Sequence, residues 1–356
     1  ISASPPRQVV IAYTEPNSPA TSGPANLARG ATILEIDGVD LVAATADEDV
    51  AILNGGLFPS GPGERHDFTV QDLGSSTSRS FSMQSATITS VPVQNVGTVD
   101  TSAGAVGYLL FNDHIATSEQ QLIDAVNLLR TADITDLVVD LRYNGGGFLD
   151  IANELAYMIA GAGPTDGQTF DELQLNDKHT LVNPVTGRLL LPTRFHTTAL
   201  GFSATQGENL PTLDLARVFV LTGPGTCSAS EAFINGLRGV DIEVIQVGST
   251  TCGKPYGFYE GANCGTSYFS IQFKGVNAKG FGDYVDGFSP DNVDAIEGTP
   301  IPGCSVADDF THALGDQAEA RLSTALAYRI DQSCPSPSGA SERTLARRKV
   351  DLAAVD

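Results

Sequence analysis

Two segments of the chain alternate strand-length apolar runs with helix-period patterns. This alternation restricts the fold more than any other feature of the sequence. VGYLLF (106–111) has the length and composition of a buried strand. SEQQLIDAVNLLRTA (118–132) then places Leu122, Ala125, Val126 and Leu129 at the spacing of one helix face. DLVVDLRYN (136–144) is a second buried strand, and LDIANELAYMIAG (149–161) a second helix. The order recurs in RVFVLTG (217–223), SASEAFINGLRG (228–239) and IEVIQVGS (242–249). Strand–helix–strand units of this kind predict an α/β fold with a mixed sheet.

The flanking sequence is different. Residues 7–86 predict a small β-rich module, with QVVIAY (8–13), LARGATILEIDGVDL (27–41), HDFTVQDL (66–73) and SFSMQSATI (80–88) as strand material. Gly30 and the Asp37–Gly38 pair punctuate its second segment as turns. Residues 162–212 are rich in turn formers and predict an inserted arm or lid of short strands. Residues 266–288 read as β-rich, and 308–330 as an amphipathic helix or helix pair opening on Asp308 and Asp309. The domain division expected is 1–88, 89–334 and a flexible tail, 335–356.

Charge excludes one class of partner. Lys and Arg number 20 against 42 Asp and Glu, a formal charge of −22. Nucleic-acid binding needs a basic surface, which this composition does not supply. No apolar run reaches the roughly 20 residues that span a bilayer. The opening ISASPPRQ lacks the apolar core of a signal peptide, and a chain starting with Ile is expected to be a processed or trimmed fragment. No cofactor motif appears, and no metal is expected. The cysteines are Cys227, Cys252, Cys264, Cys304 and Cys334, none at C-x-x-C metal spacing. Pairing 252–264 and 304–334 is expected, leaving Cys227 free and implying an oxidising compartment, periplasmic or extracellular.

The chemistry concentrates at TCSASE (226–231) and TCGKP (251–255). Ser228 stands where a strand turns into a helix, and S-A-S-E fits a capping box, a structural role in its own right. A nucleophile there would be exposed at the sheet edge beside free helix amides. The amide of Ala229 is a candidate oxyanion donor, and the NGGG loop (144–147) offers a second at Gly146 or Gly147. A serine needs a base. Lys254 follows the next strand, in a loop that Gly253 and Pro255 restrict, and serves as a base if burial keeps it neutral. His114, in FNDHIATS, is either a loop residue or part of the crevice lining. Cys227 is a less favoured nucleophile, with a small buried hydrophobe as its simpler reading.

DLRYNGGG, TCSASE and VGSTTCGKP in this order resemble the C-terminal processing (tail-specific) serine peptidases, over about residues 7–300. GFSPD (287–291) resembles that family's closing segment, and ARGATILEIDG resembles a PDZ domain of bacterial proteases. The resemblance implies a Ser228/Lys254 dyad, an oxyanion hole from Gly146 or Gly147 and Ala229, and peptide binding at Arg29, Gly30 and Ala31. It implies polypeptide substrates, unfolded or presenting a tail, and leaves oligomerisation open. Three features depart from the family pattern. Phe258 stands where many members have a glutamine that orients the lysine, Gly145 replaces a proline, and the family's N-terminal helical region is missing. Tricorn-type relatives take a histidine from such a region. The alternative reading is an inactive peptide-binding pseudoprotease.

Overall fold

The computed structural model describes residues 5–293 and 298–336; the expected flexible tail lies mostly outside the described residues. The chain forms two compact units. Of the described residues, one comprises 5–91 with Asp309–Ala313, the other Pro92–Asp308 and 314–336.

In the first unit an antiparallel sheet runs in the order Val9–Val10, Thr32–Ile36, Arg65–Gln71, Ser78–Gln84, with Val39–Asp40 paired to Thr32–Ile36. Asp37 and Gly38 both have positive φ (50° and 78°), the geometry a two-residue hairpin turn requires. Ile33, Ile36, Leu41, Leu53, Phe68, Val70 and Phe81 form its core. A helix, Asp47–Leu57, was not legible as part of a β-rich module. Only Leu53 and Gly56 of it are buried, so its apolar stripe is too thin to read. Gly56 permits a close approach, since a Cβ there would lie 2.3 Å from Ile36 Cγ2.

The second unit is built on a six-stranded sheet. In spatial order its strands are Gly303–Ser305, Glu243–Gly248, Arg217–Thr222, Asp136–Asp140, Gly104–Phe111 and Val93–Thr101. Every neighbouring pair is parallel except the last. The fold is therefore α/β with a mixed sheet, as expected. Strand neighbours in the sheet are also successive sheet strands in sequence, so each crossover helix returns the chain one place along. Helices Ser118–Thr131, Leu149–Ala160 and Ala229–Gly239 share one core with Leu109, Phe111, Leu137, Val139, Val218 and Val220. The alternate residues Leu110, Val138, Phe219 and Leu221 point to the opposite face, as the two-residue strand period demands, and are equally buried.

Two segments differ from the sequence reading. Helix occupies only Ala320–Asp331 of the 308–330 stretch. Gly315 has a φ of 87°, and Glu319 caps the helix by accepting from Leu322 N at 3.1 Å. Asp308 does not start a helix; it binds Arg142 at 2.8 Å and Tyr143 at 2.5 Å. The arm at 162–212 contains a short helix, Ala162–Thr165, and two strands. Thr169–Gln174 pairs with Thr193–Arg194 and with Phe273–Val276, which in turn pairs with Tyr256–Gly257. The arm is thus one part of a second, antiparallel sheet whose other strands come from beyond Lys254.

Arg142 holds the charged interior together. It is fully enclosed and contacts Asp140, Asp308 and Glu319, with Tyr108 donating to the same Asp140 at 2.8 Å. Removing one partner from such a cluster leaves the others buried and uncompensated. Arg142→Ala is expected to lower unfolding free energy by about 3–5 kcal/mol, read as a shifted urea midpoint at unchanged slope.

Candidate active site

The three loops that carry the predicted chemistry follow three adjacent parallel strands, Asp136–Asp140, Arg217–Thr222 and Glu243–Gly248. All leave the sheet at its C-terminal edge, where α/β proteins gather their ligands.

Ser228 sits between strand Arg217–Thr222 and helix Ala229–Gly239 with φ 55° and ψ −114°. A non-glycine residue adopts such a backbone only where surrounding contacts enforce it, and nucleophilic serines on strand-to-helix turns do so. The enforcement is visible. Thr226 Oγ1 donates to Leu141 O at 2.8 Å and accepts from Gly223 N at 3.0 Å. Cys227 N donates to Asn144 O at 3.1 Å, and Ser230 Oγ to the same oxygen at 3.1 Å. The serine turn is thereby sewn to the glycine loop.

That loop comes very close. A Cβ on Gly146 would lie 2.7 Å from Cys227 O and 2.8 Å from Ala229 N, and Gly146 has a φ of 94°. A Cβ on Gly147, φ 139°, would lie 2.2 Å from His114 O. The two glycines differ in their amides. Gly146 N donates to Asn144 Oδ1 at 2.9 Å, so this amide, one of the expected oxyanion donors, is already engaged. Among the described residues the amides of Gly147 and Ala229 have no acceptor. Gly146 contributes absence of bulk beside Ser228 rather than a donor.

Asn144 is the organiser here, and the sequence reading passed over it. It is fully buried. Its Oδ1 also accepts from His114 Nδ1 at 2.9 Å, and its Nδ2 donates to Phe111 O at 3.0 Å. His114 lies in the loop between Gly104–Phe111 and Ser118–Thr131, bridged to Gly147, but inside the protein rather than at a surface or crevice wall. It is fully enclosed, its Nε2 has no partner, and burial pulls its pKa down to about 4. It supports the glycine loop as a neutral ring and is not available as a base.

Lys254 reaches the site by its backbone. The Glu231 carboxylate, fully buried, accepts from Ser228 N (3.0 Å) and Lys254 N (2.8 Å) on one oxygen. Its other oxygen accepts from Thr251 Oγ1 (2.6 Å) and Gly253 N (2.8 Å). Burial raises the pKa of Glu231, and these hydrogen bonds oppose the rise. The capping box supplied the one sequence signal for this residue, and it covered only the bond to Ser228. The side chain of Lys254 is exposed, contrary to the expected burial in an apolar pocket. Among the described residues it makes no hydrogen bond to Ser228 Oγ. Phe258, at the position of the family's orienting glutamine, instead packs edge-on against Phe269 at 5.3 Å. The Lys254 loop rests on residues 285–288: Thr251 Oγ1 accepts from Phe288 N at 2.8 Å, and a Cβ on Gly253 would strike Val285 O.

The cysteine pairing is corrected. Cys227 joins Cys252, not Cys264 to Cys252, while Cys304–Cys334 forms as expected. Cys264 is free and exposed. The sequence separation of 252 and 264 suggested a local loop; the sheet instead brings position 252 beside 227. Cys227 is thus withdrawn as a nucleophile. Cys227, Glu231 and Cys252 are close enough to resemble a metal-binding trio, but the disulfide consumes both sulfurs.

In the first unit, Arg29 donates to Ala12 O at 2.7 Å and Asp309 O at 3.1 Å, and stacks 4.4 Å over the Phe310 ring. Gly30 N and Ala31 N donate to Ile11 O and Ala28 O. The loop expected to receive a peptide terminus is engaged by its own chain.

Residues 105–257 match the family model of peptidase family S41. No curated protein sequence matches the chain. Among solved structures, a Bacteroides fragilis protein assigned to the S41 proteases is 22% identical with a TM-score of 0.66, covering 94% of this chain and 80% of its own. The photosystem II D1 C-terminal processing protease is 18% identical with a TM-score of 0.47, covering 88% and 74%. Mature CPAF complexed with lactacystin is 11% identical with a TM-score of 0.39, covering 83% and 78%. The match to a peptidase S41 domain supports a serine-type peptidase, and the matched segment contains the glycine loop, Ser228 and Lys254.

Two measurements test this geometry. Gly146→Ala is expected to remain folded by circular dichroism yet lose about two orders of magnitude in kcat, because the added methyl displaces the serine turn. His114 bears on pH stability. Its folded pKa lies below the unfolded value of about 6.5, so the unfolded chain binds more protons between the two. The stabilisation is full above pH 6.5 and is lost as pH falls to about 4. Subtracting the denaturant midpoints of a His114→Gln variant from the parent's is expected to reveal this slope over that window.

Proposed function

We propose that the protein is a serine endopeptidase that cuts unfolded or tail-exposed polypeptides through a Ser228/Lys254 dyad. The observation that carries this reading is the shared Glu231 oxygen, which holds the amides of the two residues on one acceptor. Ser228 Oγ attacks the scissile carbonyl and gives its proton to Lys254 Nζ. The amides of Gly147 and Ala229 stabilise the oxyanion. Lys254 returns the proton to the leaving amine, and water then hydrolyses the acyl-enzyme.

The exposed Lys254 side chain favours an open state in which the base swings onto Ser228 as substrate covers the site. The same observation supports the second reading, a peptide-binding relative without turnover. The β-rich unit is read as a PDZ-like peptide-binding domain, with Arg29, Gly30 and Ala31 as its binding loop once Phe310 leaves. The two disulfides accord with an oxidising compartment, periplasmic or extracellular. No helix among the described residues is long and apolar enough to cross a membrane.

Cleavage of an unfolded protein at pH 8 decides between the readings. Ser228→Ala and Lys254→Ala are each expected to lose at least about a thousandfold in kcat/KM while staying folded. A serine-directed phosphonate is expected to label the parent and not Ser228→Ala. Equal cleavage by parent and Lys254→Ala excludes the dyad, and a parent that neither cuts nor labels but still binds the unfolded chain supports the binding-only reading.

A further inference from the structure

The two cysteines at the site are placed too close to the reacting pair to serve only as a generic staple. Cys227 immediately precedes Ser228, and Cys252 lies two residues before Lys254. Their bond joins positions at a sequence separation of 25, and the residues between contain the whole of helix Ala229–Gly239 and strand Glu243–Gly248. It joins the serine's turn directly to the lysine's loop, with 5.3 Å between the two Cα atoms. Resting on the reading of Ser228 and Lys254 as the catalytic pair, we propose that Cys227 and Cys252 are positioning residues. Their disulfide holds the base loop against the nucleophile's turn, so that peptidase activity follows its oxidation state.

Three observations support this. First, Lys254 makes no side-chain hydrogen bond to Ser228 among the described residues, so backbone ties set where its amine begins. The non-covalent ties are Cys252 N to Thr226 O at 3.0 Å and the two amides on Glu231. Second, Ser228 is held at a positive φ. Such a turn relaxes when its anchors loosen, and its Oγ then leaves the position beside Gly147 and Ala229. Third, the two disulfides differ in access. Cys252 is exposed and Cys227 half-buried, whereas in the other bond Cys304 is fully buried and Cys334 half-buried. A thiol in solution reaches the site bond first.

Opening consumes two thiols. The thiolate of one attacks a cysteine sulfur, forming a mixed disulfide and releasing the other cysteine, which takes up a proton. A second reductant thiolate attacks the reductant's sulfur in that mixed disulfide. The reductant leaves as a disulfide, and the remaining cysteine is protonated. Two electrons pass to the protein, and Cys227 and Cys252 end as thiols.

The test uses the full chain with exposed Cys264 replaced by Ser, so that no third thiol reshuffles the bond. Cys227→Ala/Cys252→Ala and Cys304→Ala/Cys334→Ala are compared with this parent on an unfolded protein substrate. The site variant is expected to lose at least about tenfold in kcat, with KM within about twofold and the alkaline limb of the pH profile moved. Phosphonate labelling slows in parallel. The remote variant keeps the parent's kcat and pH profile, whatever its stability. Dithiothreitol reproduces the site variant's loss in the parent, and reoxidation restores activity. Should the site variant fail to fold, that reduction and reoxidation series on the folded parent decides alone. Hydrogen exchange at the Gly253 and Lys254 amides gives a readout independent of turnover. Protection is expected to fall when the bond opens. Unchanged kcat, pH profile and amide protection overturn the proposal. If Ser228→Ala cuts as well as the parent, the dyad reading fails instead, and the amide exchange still decides whether the disulfide positions the loop.

Discussion

Glu231 is enclosed by protein, and its two oxygens take four donors from segments that are neighbours only in the folded chain. A buried carboxylate without a cation beside it is costly, and several hydrogen bonds from amides and a hydroxyl are what make it tolerable. Three of those donors are backbone amides of the Ser228 turn and the Lys254 loop, and the fourth is the Thr251 hydroxyl. Satisfying one charge therefore fixes the relation between the two catalytic candidates. The disulfide from Cys227 to Cys252 repeats the same connection covalently.

A second layer supports the glycine loop. Asn144 ties it to the serine turn through its carbonyl, to Gly146 and His114 through its side-chain oxygen, and to the preceding strand through its amide nitrogen. Beside Ser228, the Gly147 and Ala229 amides have no acceptor among the described residues. Further below, Arg142 anchors the strand end that leads into the loop against Glu319, which caps the last described helix. The site is thus held by buried polar groups rooted in the sheet. The Lys254 side chain, by contrast, is exposed.

The engaged state of Arg29, Gly30 and Ala31 bears on the β-rich unit in a similar way. The amides of Gly30 and Ala31 and both terminal nitrogens of Arg29 donate to the chain's own carbonyls, and the Arg29 guanidinium lies over Phe310. A peptide terminus would have to displace those contacts. The polarity of this loop suits the role assigned to it by resemblance, while its present geometry is that of a closed one.

The sequence by itself determined the α/β sheet, the placement of Ser228 at a strand-to-helix turn, the NGGG loop one strand away and the Lys254 loop after the next strand. Apolar periodicity is local, and successive parallel strands carry their loops to the same edge, so the gathering of these three loops was readable. The helix Asp47–Leu57 was not, because it buries one leucine and a glycine and leaves no stripe. Only the tertiary structure decided the partner of Cys252, the burial of His114, the engagement of the Gly146 amide and the reach of Glu231. Each depends on which side chains lie within a few ångströms across the sheet. Residue type and spacing carry no record of that distance: Cys264 is nearer to Cys252 in sequence, and Cys227 is nearer in space.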